Sequence, residues 1–508
     1  MTTASAPFSI PGPLPKAERV LAWSIWIFHS FFAFVIAYWV SNGKAKPWIK
    51  HWMQDSSYVM DWKMDLSDAE WAYYRQTLLH LLLDYAVHSL GIFLAKKYLS
   101  TPISHYVIIA VGFLVQIHMS SFQCVLVLYS FAAVVTLSTL SFRFKLVPWI
   151  LCITFIAKAT QFVPFSSGTH IFYREFNIYL YGSIKILNSC LHLCSNPEKR
   201  DLLVPSLLYY AYLPYSMTLI VTFEEFTSQF ETWLQKKEID WQNLKSPIFF
   251  GARLVFWYYI FELLLHFIHV NALFNSPSSI VNICAVAYVA GQFFHIKYVV
   301  IFGVPAFFAH LDGMRPPPPP ICISRVSLYS RMWRSFDNGL YQFLKHQVYI
   351  PVMRKPLPII LSILRNIGAL CAVFGVVLAW HGTRRHYIFW VTLSATELIV
   401  ERVGYQLWKL PKIQQIRAIL GENCCRRISA TLMLLTVTPG IFGVFFFLGQ
   451  EGVGETIFHN VVVEGLLDAF SGNISAFPLT TGFGFIHILT LGYFFNNVCL
   501  DIEYFNKK

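Results

Sequence analysis

Val20–Val40 reads VLAWSIWIFHSFFAFVIAYWV, twenty-one residues without a single Lys, Arg, Asp or Glu. A stretch that long and apolar crosses a hydrocarbon core about 30 Å thick. It does so as a helix, because in lipid every backbone N–H and C=O must find its partner within the segment. Similar runs recur along the chain, at Leu78–Ala95, Tyr106–His118, Cys124–Leu140, Val147–Phe162 and Leu202–Thr222. Ile248–Val270, Val281–Phe308, Leu357–Trp380, Tyr387–Val403, Ile428–Phe447 and Phe485–Leu500 complete the set. The bulk numbers agree: 56% of the 508 residues are hydrophobic, 13% are charged and the mean hydropathy is +0.51. Soluble domains carry about 25% charge. The expected fold is all-α, a polytopic transmembrane helical bundle of about 10–13 spans with re-entrant or interfacial helices.

Residues 1–19 hold Pro, Ser and Ala without an apolar core, so they read as a cytosolic or lumenal tail and not as a cleaved signal peptide. Residues 20–508 read as a single membrane-embedded domain, with no repeat of fixed period. The formal charge of +12 is spread over Lys96-Lys97, Arg143 and Lys145, Arg384-Arg385, Arg426-Arg427 and Lys507-Lys508. No basic stripe forms, so nucleic acid is not an expected partner. These positions read as charges flanking spans, or as partners for the phosphates of a nucleotide-containing substrate. The ten cysteines show no Cys-x-x-Cys pair, and no metal site or disulfide framework is expected.

Two segments look amphipathic, with interfacial placement expected: Ile171–Leu193, which carries Arg174, Glu175 and Lys185, and Glu224–Lys245, with Trp233 and Trp241. Pro316–Pro320 is an unbroken proline run, necessarily extended because proline cannot continue a helix. It is either a plain connector or a spacer that fixes the depth of the segment around Asp337. Tyr341–Pro351 is too short and polar to span, and suits a re-entrant element.

Ionisable groups at membrane depth are costly and therefore functional candidates. Two stand out: Asp337, within Met332-Trp333-Arg334-Ser335-Phe336-Asp337-Asn338-Gly339-Leu340, and His381, within Trp380-His381-Gly382. A neutral imidazole can take a proton from a nucleophile and return it; a capping histidine at the interface is the plain alternative. Asp337 either pairs with Arg334 three residues upstream or orients the histidine or the reacting group. Glu262, His266 and His269 share one helix face, a spacing that suits a metal or, more simply, a polar seam between helices.

The ordered set Ile296–Ala306, Leu311-Asp312-Gly313, Met332-Trp333-Arg334, Phe336-Asp337, Gly339-Leu340, Val348-Tyr349-Ile350-Pro351 and Trp380-His381-Gly382 resembles the membrane-bound O-acyltransferase superfamily, and within it the Hedgehog acyltransferase branch. The resemblance implies a core of roughly residues 200–500 with a tunnel, His381 as catalytic base and Asp337 as a required acid. It implies transfer of a palmitoyl group from palmitoyl-CoA to the N-terminal cysteine amine of a secreted Hedgehog-type or EGF-like protein, within the endoplasmic reticulum or Golgi membrane. Trp333, Arg334, Arg331 and Asn338 are then candidates for substrate or acyl-CoA binding. Cys322 stands where the branch has a cysteine linked to haem binding or acylation; a plain structural thiol is the alternative. The chain departs from the family pattern at Thr218-Leu219-Ile220, where Gly-Pro-Ile is usual, which bears on the acceptor channel. O-acylation of a serine or lipid by the same histidine, a non-catalytic binding homologue and a transporter are the competing readings. The presence of His381 argues against the second, and the lack of inverted halves against the third.

Overall fold

The computed structural model describes residues 11–43, 46–158, 165, 169–196, 198, 202–235, 245–274, 279–353, 359–449 and 452–506. The protein is a multi-pass helical membrane protein. Among the described residues nine helices are long and apolar enough to cross a membrane: Lys16–Asn42, Ala69–Tyr98, Thr101–Met119, Phe122–Phe142, Lys245–Phe267, Ile280–Leu311, Leu364–His381, Pro411–Leu448 and Thr481–Asn506. Local chemistry sets their ends. Asp68 caps Ala69–Tyr98 by accepting from the Trp71 N–H at 3.0 Å, and Ser121 does the same for Cys124. The outward faces stay apolar, with Phe31 63%, Leu79 67% and Leu114 64% exposed. Such faces suit lipid and not water. Among the described residues a short hairpin also forms, Met53–Asp55 paired antiparallel with Lys63–Asp65.

Three expected spans differ. Leu146–Ala157 is only 12 residues long, the rest of its predicted run lying outside the described residues. Arg385–Trp408 is helical but carries Glu397, Glu401 and Arg402, which lower its hydropathy. The predicted span Leu202–Thr222 is broken. A helix runs from Leu203 to Ala211, Leu213–Tyr215 forms one 3₁₀ turn, and the chain stays irregular to Thr222. Every residue of 211–221 is nonetheless buried.

Buried irregular backbone is tolerated only where other groups satisfy it, and helices on both sides supply those groups. Lys185 Nζ donates to the Tyr212 carbonyl and to Ser216 Oγ, both at 2.9 Å. Gln116 Nε2 donates to the Tyr210 carbonyl at 2.7 Å. The Leu213 N–H donates to His88 Nε2 at 3.2 Å, and the Tyr209 hydroxyl donates to the Val221 carbonyl. Lys185 belongs to Thr169–Ser195, whose residues 173–193 are almost all buried. The interfacial placement expected for Ile171–Leu193 is therefore overturned: its charged positions serve the interior. The second amphipathic segment does form a one-sided helix, Phe223–Gln235, burying Phe226, Phe230 and Leu234. Its Trp233 ring receives Lys96 Nζ at 4.0 Å. Trp241 and Lys507-Lys508 lie outside the described residues.

The first and last described helices are tied by charge. Arg426, fully buried, donates to Asp501 at 2.7 Å, and Arg19 reaches the same carboxylate at 3.0 Å. Arg426 is thus a core ion-pair residue and not a charge flanking a span, as its sequence position suggested.

Replacing Lys185 by Met keeps the apolar stem but removes the donor. The Tyr212 carbonyl and Ser216 Oγ then each lose one of two donors, keeping the Ser216 hydroxyl at 3.0 Å and Gln116 Nε2 at 3.2 Å respectively, at a cost on the order of 1–2 kcal/mol. A thermal unfolding scan in detergent is expected to show Lys185→Met several degrees below the parent protein. The exposed Lys158→Ala should match the parent.

Candidate functional site

The segment that carries Asp337 is pinned from both sides. After the proline run the chain turns back, and the Ile321 N–H donates to the Ser335 carbonyl at 3.0 Å. A helix then covers Tyr329–Phe336, and Glu401 accepts from the N–H groups at its start, Tyr329 and Ser330 (the latter at 3.0 Å). Asp337 ends that helix and caps the next, Asn338–Leu344, by accepting from the Leu340 N–H at 2.9 Å. The second helix continues through a wide π-type turn, Lys345–Tyr349, to Met353. At about 1.5 Å per residue it is too short to span.

Gly339 sets how deeply this segment seats. A Cβ there would lie 2.3 Å from the Ile220 carbonyl oxygen. The irregular stretch 212–222 and the Asp337 turn are therefore in backbone contact at Ile220.

His381 is the last residue of Ile359–His381, which stops because Gly382 takes φ +102°, a conformation open to glycine. The imidazole stands in an aromatic box, edge-on to Phe447 at 5.1 Å and to Trp390 at 5.6 Å, with Tyr387 at 6.2 Å. Two stacks join this box to the Asp337 helix. Trp333 stacks on Trp390 at 5.4 Å, and Trp390 on Phe447 at 4.5 Å. Phe336 stacks on Phe294 at 5.2 Å, and Phe294 meets Phe447 at 6.0 Å. Trp333 and Phe336, three apart on one helix, thus hold Asp337 in fixed relation to His381 through rings.

Among the described residues no hydrogen bond or ion pair links Asp337 to His381, so the carboxylate does not orient the imidazole by direct contact. The imidazole nitrogens have no protein partner among the described residues. Both side chains keep accessible surface although protein surrounds them. That combination is expected of groups lining an internal opening. Burial pushes the Asp337 carboxyl up to about 6.

The other sequence candidates separate. Arg331 is ion-paired with Glu503 at 2.6 Å. Arg334 does not pair with Asp337, as the three-residue spacing suggested; it is exposed over the Tyr341 ring at 5.8 Å. Asn338 is turned back to the Arg334 carbonyl at 3.1 Å. Glu262 accepts from Trp71 at 2.7 Å and Arg75 at 2.9 Å, while His266 meets Ser56 at 2.8 Å. This is the polar seam, engaged by an arginine and an indole. Cys322 caps a single 3₁₀ turn, Ile323–Arg325, next to Ser324, which meets Tyr288. A lone thiol in that setting gives no support to haem, and no chemistry is routed through it. Among the described residues no group of three metal-ligating side chains occurs.

Residues 66–433 match the model of the family described as MBOAT, membrane-bound O-acyltransferase family. The chain belongs to the membrane-bound O-acyltransferase family. It is an acyltransferase, and it groups with the Hedgehog acyltransferase branch. Protein-cysteine N-palmitoyltransferase HHAT of Mus musculus is 26% identical over 442 residues, covering 79% of this chain and 84% of that protein. Protein-cysteine N-palmitoyltransferase Rasp of Drosophila melanogaster is 26% identical over 370 residues, 70% and 72% of the two chains. Membrane-bound O-acyltransferase GUP1 of Saccharomyces cerevisiae is more distant, 21% identical over 258 residues, 49% and 43%.

Sequence reasoning missed Phe447, Trp390 and Phe294 as the frame of this acyltransferase's candidate site. With 17% aromatic residues, no single ring stands out. It also missed Glu70. Lys297 Nζ bonds Asp68 at 2.7 Å and Glu70 at 2.9 Å, and the Tyr298 hydroxyl donates to Glu70 at 2.9 Å. Tyr298 in turn packs on Phe336 at 5.8 Å, beside Asp337.

Gly339→Ala is expected to lower the detergent unfolding temperature by an overpacking cost of about 1–3 kcal/mol, because its neighbour is rigid backbone. Gly368→Ala, which meets nothing within 4 Å, should leave it unchanged or slightly raised. Equal values for the two variants would remove the claimed close approach.

Proposed function

We propose that this acyltransferase moves a palmitoyl group from palmitoyl-CoA to the N-terminal cysteine amine of a secreted signalling protein of Hedgehog or EGF-like type. The work takes place in the endoplasmic reticulum or Golgi membrane, through which secreted acceptors pass. The observation that carries the reading is the unpartnered imidazole of His381 in its aromatic box, fixed by two ring stacks to Asp337. The names of the mouse and fly relatives supply the reaction class and the cysteine-bearing acceptor.

In this mechanism the donor is a thioester, already activated, so the protein supplies position and a base. The acceptor amine settles against the Asp337 carboxylate. As the nitrogen attacks the thioester carbonyl, His381 takes its proton. The tetrahedral adduct then breaks its C–S bond, and the CoA sulfur leaves with the proton from His381. An amide and a free thiol result, with no covalent enzyme intermediate. The acyl tail gains about 0.8 kcal/mol per buried CH₂ from an apolar channel. Arg334, exposed and free of Asp337, meets the CoA phosphates.

Labelled palmitoyl-CoA should tag a Hedgehog-type peptide with a free N-terminal cysteine, and leave its N-acetylated form unlabelled. His381→Ala should abolish transfer and Asp337→Asn cut it at least about tenfold, with both proteins still inserted in membrane; wild-type turnover in His381→Ala would remove the base assignment. Labelling of neither peptide by intact protein would move the acceptor to a hydroxyl or a lipid.

A pH series gives an independent check. A carboxyl raised to about 6 is protonated below that value and charged above it. Transfer should therefore fall on the acid side of about pH 6, and the residual activity of Asp337→Asn should lack that limb.

A further inference from the structure

Tyr181 belongs to the buried helix Thr169–Ser195, and its ring lies edge-on to Trp380, the residue before His381, with centroids 4.9 Å apart. On its other side it is close enough to Asp337 and Glu70 to feel both charges. The side chain thus packs on the motif that contains His381, with the Asp337 carboxylate in its electrostatic surroundings. It is 9% exposed. Among the described residues its hydroxyl makes no hydrogen bond.

A buried hydroxyl without a partner is costly, at about 1–3 kcal/mol. The core holds other such phenols, at Tyr74 and Tyr215, but those oxygens are sealed from any opening. The Tyr181 oxygen is not sealed, and its neighbours are acidic and positioned. Tyr298, also within reach of Tyr181, is held by Glu70, and Lys297 holds Glu70 in place. Asp337 is fixed by its cap bond to Leu340. A phenol both donates and accepts. With no hydrogen-bond partner among the described residues, its oxygen lone pairs are open to an incoming N–H.

We propose that Tyr181 is an acceptor-binding residue: its hydroxyl, carried by a ring packed on Trp380 beside His381, receives a hydrogen bond from the acceptor's nucleophilic head group. This rests on the acyltransferase reading above and adds the residue that places the acceptor. For the neutral amine acceptor, an N–H bond to Tyr181 leaves the nitrogen lone pair free to attack the thioester carbonyl, and the other amine proton passes to His381 as the C–N bond forms. The group involved is small and polar and requires no contact with the acyl tail, so the effect belongs to one substrate only.

Tyr181→Phe deletes one oxygen and keeps the ring on Trp380. Steady-state transfer by the full-length protein in membranes should show the acceptor KM raised about tenfold, with the palmitoyl-CoA KM and the detergent unfolding temperature unchanged. Tyr129→Phe removes a hydroxyl that donates to Gln116 at 3.0 Å, away from His381, and should leave the acceptor KM unchanged. An unchanged acceptor KM in Tyr181→Phe would overturn the assignment. So would an equal rise in both KM values with a lowered unfolding temperature, since that is the signature of a packing role. The acceptor used is whichever the wild-type protein labels. If that is a hydroxyl, the N-acyl reading falls, and a raised KM for the hydroxyl acceptor in Tyr181→Phe still upholds the placement of Tyr181.

Discussion

The fold depends on the donors that Lys185 supplies to backbone that has left its helix. A transmembrane bundle can carry irregular chain at its centre only if each freed carbonyl and N–H is met by something other than water. Here one ammonium meets the Tyr212 carbonyl and Ser216, with Gln116 on the adjacent Tyr210 carbonyl and His88 on the Leu213 N–H. With the break held, Ile220 presents its carbonyl to Gly339, and the Asp337 turn seats against it. The acid at the site is therefore positioned by backbone contact with a loop that a buried lysine maintains.

His381 is positioned differently. It stands at a helix end released by Gly382 and is enclosed by rings, with no protein group among the described residues taking its nitrogens. Phe447 is the hub, touching His381 and Trp390 directly and reaching the Asp337 helix through Phe294. Aromatic packing gives rigidity without competing hydrogen bonds, so the imidazole stays available to a substrate. Polar chemistry is kept to one side, where Asp337, Tyr181 and Glu70 gather.

Much of this was legible in the sequence. Nine of the twelve apolar runs are helices of spanning length and composition, because length and the lack of charge decide that outcome. The order of motifs from Ile296 to Gly382 identified the family. The break at 212–222 was not legible: Leu202–Thr222 is as apolar as a span, and only the tertiary partners of its backbone distinguish it. Lys185 and Arg426 misled for a related reason. A charge in sequence reads as a surface or a span flank until its partner is known, and those partners lie 27 and 75 positions away. The spacing of Arg334 and Asp337 suggested an ion pair, yet Asp337 ends the helix and its side chain turns to cap the next one. Tyr181 carried no sequence signal, since its role is set by what it packs on.

The central claim is that acyl transfer passes directly from the thioester to the acceptor at His381, in a site with no enzyme nucleophile. Rapid mixing of acyl-CoA with excess enzyme, with released CoA thiol measured before and after acceptor is added, tests this most directly. The account expects no early release, with CoA appearing only when acceptor is present. A burst of CoA equal to the enzyme concentration in the absence of acceptor would reveal an acyl-enzyme and contradict it.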